Sequence, residues 1–311
     1  MKVIIAEFMD QAAVALLQEQ FETHYDPTLV DRRSELASSL GDADALIVRN
    51  RTQVDLALLD GAPCLQVVGR LGVGLDNIDV DACALRGIAV IPATGANAGA
   101  VAEYVVGAAL ALLRGVVTRS AETATGNWPR TALSGGHEIA GKTLGLVGFG
   151  SIGQLTARLA CRLGMNIIAH DPLLAADAPV WGEGWAVSGT MADLLAQADI
   201  LSLHVPLTDQ TRNLIDSVAL ARMKPGALLI NTARGGIVDE DAVADALRSG
   251  YLGGAAIDVF AQEPLAAGSA LASAPNVILT PHIAGVSMES NVRVSSLIAE
   301  RVATHLRRNR V

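Results

Sequence analysis

Short apolar runs rich in β-branched residues alternate with segments of helical spacing along this 311-residue chain. Alternation of this kind is typical of parallel α/β sheets, in which crossover helices join buried strands. Two of the helical segments open with an aspartate, a residue type that caps helix N-termini. In the first third of the chain, the pattern predicts strands at 3–6, 45–48, 65–68 and 88–91 and helices at 10–19 and 31–40.

The same pattern restarts after a long alanine-rich helix that is predicted to begin near Asn97. A final helix at 287–307 follows the last predicted strand. Because the two parts share an architecture without a sequence repeat, we expect two α/β units. The predicted strands of the second part are 143–147, 166–169, 199–203, 227–230, 254–257 and 276–279.

The composition favours a folded protein with a sizeable core, because 51% of the residues are hydrophobic and 18% are charged. A net charge of −9 and an aromatic content of 3% argue against binding to nucleic acid, which needs clustered cations and stacking platforms. The longest apolar stretch, about 98–117, contains Glu103 and Arg114 and predicts a buried helix instead of a membrane span. We expect neither a nucleic-acid nor a membrane partner.

The three cysteines, Cys64, Cys83 and Cys161, are far apart and show neither disulfide nor metal-ligand spacing. Glu7 interrupts the first apolar run too early for a secretory signal. We therefore predict a reducing, cytoplasmic location and no bound metal.

A glycine-rich motif directly follows the predicted strand 143–147 and runs into a helical pattern at 154–163. Its glycines, Gly148, Gly150 and Gly153, permit a tight turn, close approach to a pyrophosphate and close packing of helix on strand. The N–H groups that open the helix would bind the phosphates. A glycine pattern alone also occurs in ordinary turns, but strand, glycines and helix in this order predict a dinucleotide site.

Asp171 lies 18 residues after Gly153, at the end of the predicted strand 166–169. A carboxylate at this position accepts hydrogen bonds from ribose hydroxyls and repels a 2′-phosphate. The residues that follow, 172–175, are uncharged. We therefore predict NAD as the cofactor instead of NADP. The alternative is that Asp171 is a surface helix cap.

Polar side chains follow four predicted strands of the second part: His204, Arg234, Glu263 and His282. The carboxyl ends of parallel strands share one edge of a sheet, where open α/β folds bind their ligands. Each of these residues alone would be an ordinary cap or surface group. Together, a guanidinium, a carboxylate and an imidazole can hold an acid and move a proton, so we expect a catalytic site at this edge.

The chain resembles the D-isomer-specific 2-hydroxyacid dehydrogenases, and within them the phosphoglycerate dehydrogenase-like branch, over essentially its whole length. The resemblance rests on motifs that occur in the order typical of the family. Besides the glycine motif, they are GRLGVGLDNID at 69–79, NAGAVAE at 97–103, HVPLT at 204–208, NTARGG at 231–236, DVF at 258–260 with EP at 263–264, and PHIAG at 281–285.

The resemblance implies two Rossmann-like parallel-sheet domains, one flavodoxin-like and one NAD-binding, with the cofactor domain inserted into the substrate domain. We expect residues 1–96 and 286–311 to form the substrate domain and residues 97–285 the NAD-binding domain. The final helix would return to pack on residues 1–95. The resemblance also implies a homodimer and the short form of the family, without a regulatory domain.

The catalytic arginine, glutamate and histidine of the family match Arg234, Glu263 and His282. Oxidation of a 2-hydroxy acid removes a hydride from C2 and a proton from its hydroxyl. His282 suits the exchange of that proton because imidazole titrates near neutral pH. Glu263 would orient the ring and favour its charged form. Arg234 would hold the substrate carboxylate with its planar fork.

The resemblance assigns further contacts to the cofactor and to the substrate. The predicted cofactor residues are Gly148, Gly150, Ser151, Ile152, Gly153, Asp171, His204, Pro206, Thr211, Ala233, Asp258 and Gly285. The predicted substrate residues are Arg49, Asn50, Arg51, Val73, Gly74, Arg234 and His282. Ser151 replaces an arginine that is common in the family motif, which would slightly weaken the contact with the pyrophosphate. The 71–74 loop either offers N–H groups to the substrate carboxylate or is simply a turn.

Two arginines, Arg49 and Arg51, follow the predicted strand 45–48 in a chain that is acidic overall. This branch of the family contacts the far end of its substrate there, so the pair predicts a second anion at C3, as in 3-phosphoglycerate or 3-sulfolactate. Sulfur on C3 outranks the carboxylate in naming, so a D-like sulfolactate is labelled S. The alternative is a solvated loop with surface arginines. The sequence leaves the substrate and the reaction direction open.

Two other functions stay open. An NAD(H)-sensing protein that resembles the co-repressors of the family would use the same fold with little turnover, and a glyoxylate or hydroxypyruvate reductase would act on smaller acids. The intact set of Arg234, Glu263 and His282 favours an enzyme. A formate dehydrogenase would carry glutamine in place of Glu263. We therefore predict an NAD-dependent 2-hydroxyacid dehydrogenase.

Overall fold

A computed structural model describes residues 1–116, 119–175 and 177–308 of the chain. The chain divides into two compact units, Met1–Asn97 together with the segment from Val286, and Ala98–Gly285. The predicted division placed Asn97 in the second unit, whereas the structure places it in the first. In the part of the chain that the structure describes, every helix falls short of the length and apolar character that a membrane crossing requires.

The first unit is built on a parallel sheet of five strands. The strands are β1 (Lys2–Ile5), β2 (Glu22–Tyr25), β3 (Ala45–Val48), β4 (Val67–Arg70) and β5 (Ala89–Pro92). They pair in the order β2-β1-β3-β4-β5. The helices are α1 (Gln11–Gln18), α2 (Arg33–Ser39), α3 (Leu56–Asp60) and α4 (Val80–Leu85). Strand β3 is buried along its whole length, which explains its continuous apolar sequence.

The C-terminal helix (Met288–Arg308) packs on the sheet of the first unit. A Cβ atom at Gly69 of β4 would lie 2.8 Å from Ile298 Cγ2 and 2.9 Å from Val302 Cγ2, so these helix side chains rest directly on the strand. Both side chains are fully buried. The resemblance implied this position for the last helix.

The second unit contains a parallel sheet of seven strands. They are β6 (Thr143–Val147), β7 (Asn166–His170), β8 (Val187–Ser188), β9 (Ile200–Leu203), β10 (Leu228–Asn231), β11 (Gly254–Ile257) and β12 (Val277–Leu279). The helices are α5 (Ala98–Arg114), α6 (Ser120–Ala124), α7 (Ser151–Arg162), α8 (Met191–Gln197), α9 (Ser217–Leu220) and α10 (Glu240–Arg248).

The strand order β12-β11-β10-β9-β6-β7-β8 reverses direction between β6 and β9. After β6 the chain builds the sheet outward to β8, and then it returns to the other side of β6 and continues to β12. In open α/β sheets such a reversal leaves a crevice at the carboxyl ends of the two central strands. The loop after β6, which carries the glycine motif, lies at this reversal.

Two strands are absent from the predicted pattern. β2 is an edge strand whose sequence, ETHY, contains no apolar run, and it alternates between exposed and half-buried residues. β8 has two residues, and both are exposed. Hydrophobic periodicity detects strands through their buried residues, so it has little signal at such sheet edges.

The predicted start of α2 was wrong. Asp31 ends a short 3-10 helix, Leu29–Asp31, and α2 begins at Arg33 without a side-chain cap. The carboxylate of Asp31 forms an ion pair with Arg51 instead of capping a helix. Other boundaries also shift by a few residues, as at α7, which was predicted to begin at Gln154 and begins within the glycine motif at Ser151.

Candidate active site

The polar side chains of the second unit stand at the carboxyl ends of its strands. His204 directly follows β9, and Asp258 directly follows β11. Arg234 and His282 each lie three residues beyond the end of a strand, β10 and β12 respectively. Because all seven strands are parallel, these ends form one edge of the sheet.

His282 and Glu263 form a hydrogen-bonded pair. His282 Nδ1 lies 2.9 Å from Glu263 Oε2, and Glu263 Oε1 accepts a hydrogen bond from the Phe260 N–H at 3.1 Å. Each side chain of the pair is 36% exposed, so a ligand can reach it. Because Glu263 engages Nδ1, Nε2 is the ring nitrogen that is suited to proton exchange.

The buried carboxylate of Asp258 holds the segment that carries His282. Its Oδ1 accepts hydrogen bonds from the Thr280 hydroxyl at 2.6 Å and the Ile283 N–H at 2.8 Å. Its Oδ2 accepts one from the Ala284 N–H at 2.8 Å. His282 adopts a φ of 57°, in the left-handed region that costs free energy for a residue other than glycine. The bonds to Asp258 offset this cost and fix the position of the imidazole.

Tyr104 and Thr280 extend this support, and neither was predicted as a site residue. The Tyr104 hydroxyl lies 2.5 Å from Thr280 Oγ1, and burial raises the pKa of Tyr104, so the phenol stays neutral. The usable sequence signal is Thr280, a polar residue between an apolar strand and Pro281. Asp258 was predicted as a cofactor contact, and that role stays a prediction beside the structural one.

A second buried side chain shapes the turn that presents Arg234. Asn231 Oδ1 accepts a hydrogen bond from the Ala233 N–H at 3.1 Å, and Asn231 Nδ2 donates to the Arg234 carbonyl at 3.0 Å. A Cβ atom at Gly235 would lie 1.8 Å from the Phe260 carbonyl oxygen, so a glycine must follow the arginine. The turn is therefore specified by residues on both sides of Arg234.

The glycine motif builds a backbone cradle that fits a pyrophosphate. Gly148 has a φ of 92°, and a Cβ atom there would lie 2.5 Å from the His204 carbonyl oxygen. A Cβ atom at Gly153 would lie 2.4 Å from the Gly148 carbonyl oxygen. Gly150 precedes the 12-residue helix α7 without a side-chain hydrogen bond, so the first N–H groups of α7 stay available for an anion.

Asp171 directly follows β7 beside this cradle. Its Oδ2 accepts a hydrogen bond from the Phe149 N–H at 2.8 Å, and its Oδ1 accepts one from the Leu173 N–H at 3.0 Å. Each carboxylate oxygen has a further lone pair with which to accept a ribose hydroxyl. The cradle and this carboxylate together fit a dinucleotide.

The remaining predicted cofactor residues lie in the segments that follow β6, β9, β10 and β12. They are Ser151, Ile152, Pro206, Thr211, Ala233 and Gly285. The Thr211 hydroxyl donates to the Pro206 carbonyl at 2.6 Å and so closes the loop after β9. Their contacts with the cofactor stay predictions.

His204 is half-buried, and the desolvation of its ring prevents it from serving as a second acid or base near neutral pH. Its Nε2 lies 3.0 Å from Ser202 Oγ. Desolvation lowers the pKa of His204 from 6.5 to about 4, which keeps the ring neutral. This neutral ring beside the glycine cradle is consistent with the prediction that His204 lines the cofactor site.

In the first unit, the residues predicted for the substrate follow two neighbouring strands. Arg49, Asn50 and Arg51 come directly after β3, and Val73 and Gly74 come after β4. Arg49 is half-buried, whereas Asn50, Arg51 and Val73 are exposed. Their contacts with a substrate stay predictions.

Comparison with known proteins identifies the family. Residues 106–284 match the profile of the D-isomer specific 2-hydroxyacid dehydrogenase, NAD binding domain, which is more than half of the chain. The chain belongs to this family. It is therefore an oxidoreductase that uses NAD and acts on a 2-hydroxy acid, as the resemblance implied.

Individual relatives agree with this assignment. The (S)-sulfolactate dehydrogenase of Chromohalobacter salexigens is 55% identical over 96% of this chain and 96% of its own length. The D-3-phosphoglycerate dehydrogenase of Mycobacterium leprae is 43% identical over 96% of this chain, which spans 56% of that longer relative. An NAD-dependent formate dehydrogenase from Staphylococcus aureus, solved in complex with NAD, is 28% identical, with a TM-score of 0.83 over 100% of this chain and 97% of its own.

The desolvation of the His204 ring predicts a pH-dependent loss of stability. Because the pKa of His204 is about 4 in the folded dehydrogenase and near 6.5 when unfolded, the unfolded chain binds the extra proton between these values. This contribution to stability is present above pH 6.5 and is lost as the pH falls toward 4. Between pH 7 and pH 4.5, it should lower the free energy of unfolding by about 2–3 kcal/mol.

Urea unfolding at both pH values measures this loss in the wild type and in His204→Gln, whose amide cannot titrate. The exposed His24→Gln variant is the matched control and should lose as much stability as the wild type. An equal loss in all three proteins would show that His204 is solvated.

Asp171 should determine the preference for NADH over NADPH. Asp171→Asn keeps an acceptor for the Phe149 N–H but removes the charge that repels a 2′-phosphate. The ratio of kcat/KM for NADH to that for NADPH should fall about tenfold or more. Asp177→Asn, a change in the same exposed loop, is the control. An unchanged ratio would assign Asp171 to the turn alone.

Proposed function

We propose that this dehydrogenase acts on a D-configured 2-hydroxy acid that carries a second anion at C3, with (S)-3-sulfolactate as its foremost substrate. The observation that carries the proposal is the half-buried guanidinium of Arg49 in the loop after β3. Burial lowers the pKa of Arg49, which reflects the cost of holding a cation away from water. An anionic substrate bound to this guanidinium would offset that cost.

The name of the Chromohalobacter salexigens relative supports the same substrate. The label S in that name agrees with the D-specificity of the family, because the sulfur on C3 reverses the naming priority and leaves the spatial arrangement D-like. We carry this substrate over to the present chain as part of the proposal.

His282 would exchange the proton of the C2 hydroxyl. With Nδ1 directed at Glu263, the neutral ring presents Nε2 as the base in oxidation, and the imidazolium returns the proton in reduction. Glu263 holds Nδ1 through this hydrogen bond and prevents rotation of the ring. When bound, NAD supplies the hydride acceptor.

Arg234 would bind the substrate carboxylate. A guanidinium offers a planar pair of N–H groups that match the two carboxylate oxygens, and its permanent charge polarises the neighbouring C2 oxygen. The N–H groups of Val73 and Gly74 would add to this contact. The carboxylate is then held in one orientation while His282 approaches the C2 hydroxyl.

Residues 119–138 are the surface that we propose for contact with a second copy of the chain. They include Trp128, which is 79% exposed, and Leu133, which is 36% exposed. Large apolar side chains left in water favour burial in an interface. We therefore propose a homodimer.

We also propose a cytoplasmic location, which the three free cysteines support.

The proposal predicts that Arg49 serves the second anion specifically. Arg49→Ala should lower kcat/KM for (S)-3-sulfolactate about 100-fold and that for D-lactate by less than about threefold, since lactate has no group at C3 for the guanidinium to bind. NADH formation with D- and L-2-hydroxy acids, including both 3-sulfolactate enantiomers and 3-phosphoglycerate, measures this difference.

Arg86→Ala is the matched control, because Arg86 is a surface arginine of the same unit that pairs with Asp60. Equal losses on lactate and sulfolactate would remove Arg49 from the substrate site. If the wild type binds NADH but forms none with any of these substrates, the result would favour a sensing protein.

A further inference from the structure

The loop that follows β3 is folded around a carboxylate of the protein itself. Glu7 is 4% exposed, and its Oε1 accepts hydrogen bonds from the N–H groups of Arg49 at 2.8 Å and Thr52 at 3.0 Å. Its Oε2 accepts one from the Arg51 N–H at 3.3 Å. Converging backbone N–H groups of this kind form an anion site. Because Glu7 fills it, these three N–H groups are not available to a substrate anion.

The guanidinium of Arg49 is the side chain best placed for that anion. Its Nη2 donates to Asn291 Oδ1 at 2.8 Å, and its Cζ lies 5.8 Å from the centre of the Phe8 ring. A guanidinium has five N–H donors, and within the described residues Asn291 is the one side-chain acceptor that it meets. The other donors can serve a ligand, while Glu7 provides a fixed negative charge nearby.

The positive charge of Arg51 is balanced by Asp31, which lies outside the loop. Its Nη2 forms an ion pair with Asp31 Oδ1, and its Nη1 lies 3.4 Å from Asp31 Oδ2. The hydrogen bond that Arg51 donates to Asp31 raises the pKa of Arg51, as expected for a cation stabilised by a carboxylate. Both side chains are exposed, at 59% and 58%. Arg51 therefore adds little free positive charge for a second anion.

The local charges of this loop cancel. Two guanidiniums, on Arg49 and Arg51, are matched by two carboxylates, on Glu7 and Asp31. A sulfonate carries a single negative charge near neutral pH, whereas a phosphate monoester carries between one and two, because its second pKa is near 6. With Arg51 paired to Asp31, the loop offers a ligand the guanidinium of Arg49, and the negative charge of Glu7 beside it disfavours the second charge of a phosphate.

We propose that the carboxylates of Glu7 and Asp31 tune the loop after β3 to accept a singly charged sulfonate and to disfavour a doubly charged phosphate. Asp31 is the specificity-determining residue, since its pairing keeps Arg51 away from the substrate. This inference rests on the proposed function, because it requires that the second anion of the substrate bind at Arg49.

Substitution of Asp31 tests the inference on the intact enzyme. Asp31→Asn removes one exposed charge and frees Arg51 without touching the core. The measured quantity is the ratio of kcat/KM for D-3-phosphoglycerate to kcat/KM for (S)-3-sulfolactate. This ratio cancels any general loss of activity. We expect the wild type to favour sulfolactate and Asp31→Asn to raise the ratio about three- to tenfold, with a smaller gain at high salt.

Two further variants separate charge from structure. Asp60→Asn breaks the comparable surface pair with Arg86 in the same unit and should leave the ratio unchanged. The double variant Asp31→Asn with Arg51→Gln should return the ratio to the wild-type value, because the gain depends on the freed guanidinium.

The outcomes distinguish this inference from the proposed function. The inference is overturned if the wild type prefers 3-phosphoglycerate, or if Asp31→Asn and Asp60→Asn give equal ratios. Either result is still compatible with the proposed function, a substrate with a second anion at C3. A gain that persists without Arg51 also overturns it. A wild type that favours D-lactate over both doubly anionic acids overturns the proposed function, and the inference with it.

Discussion

The hydrogen-bonding demand of one buried carboxylate, that of Asp258, determines the geometry of the candidate active site. A carboxylate at 1% exposure costs several kcal/mol unless polar groups replace its water. Asp258 obtains these groups from Thr280 and from the backbone of the segment after β12. The segment must therefore wrap around it, which forces His282 into the left-handed backbone region and directs its ring at Glu263. The geometry of the candidate site thus follows from the hydrogen bonds that replace the water of a buried carboxylate.

The same sheet edge gives two histidines different roles through their surroundings. His204 is half-buried beside the glycine cradle, and desolvation lowers its pKa to about 4, so it remains neutral. His282 is 36% exposed and has a carboxylate on Nδ1, the arrangement of a group that gains and loses a proton. Environment, more than residue type, distinguishes the two imidazoles, and the proposal gives proton exchange to His282.

Sequence reasoning was most successful where a signal depends on local spacing. The central strands and the glycine motif were predictable because burial and backbone geometry restrict the residues that fit there. Support by distant residues was not predictable: Tyr104 reaches Thr280 across 176 positions, and Asp31 pairs with Arg51 across 20. Asp31 illustrates the limit, since as an aspartate ahead of a helical pattern it predicted a cap, while tertiary structure gave its carboxylate another partner. Edge strands such as β2 also escaped detection, because they lack buried side chains on both faces.

The central claim is that the His282–Glu263 pair performs the proton transfer that accompanies hydride transfer. The most direct measurement is the single-turnover rate of NADH formation by wild type and His282→Gln with (S)-3-sulfolactate, together with the Kd for NADH from fluorescence titration. The account predicts that the rate falls at least about 1000-fold while the Kd changes less than about threefold, since His282 acts on the substrate proton. A rate within about tenfold of wild type, or a parallel loss of cofactor binding, would contradict the assignment.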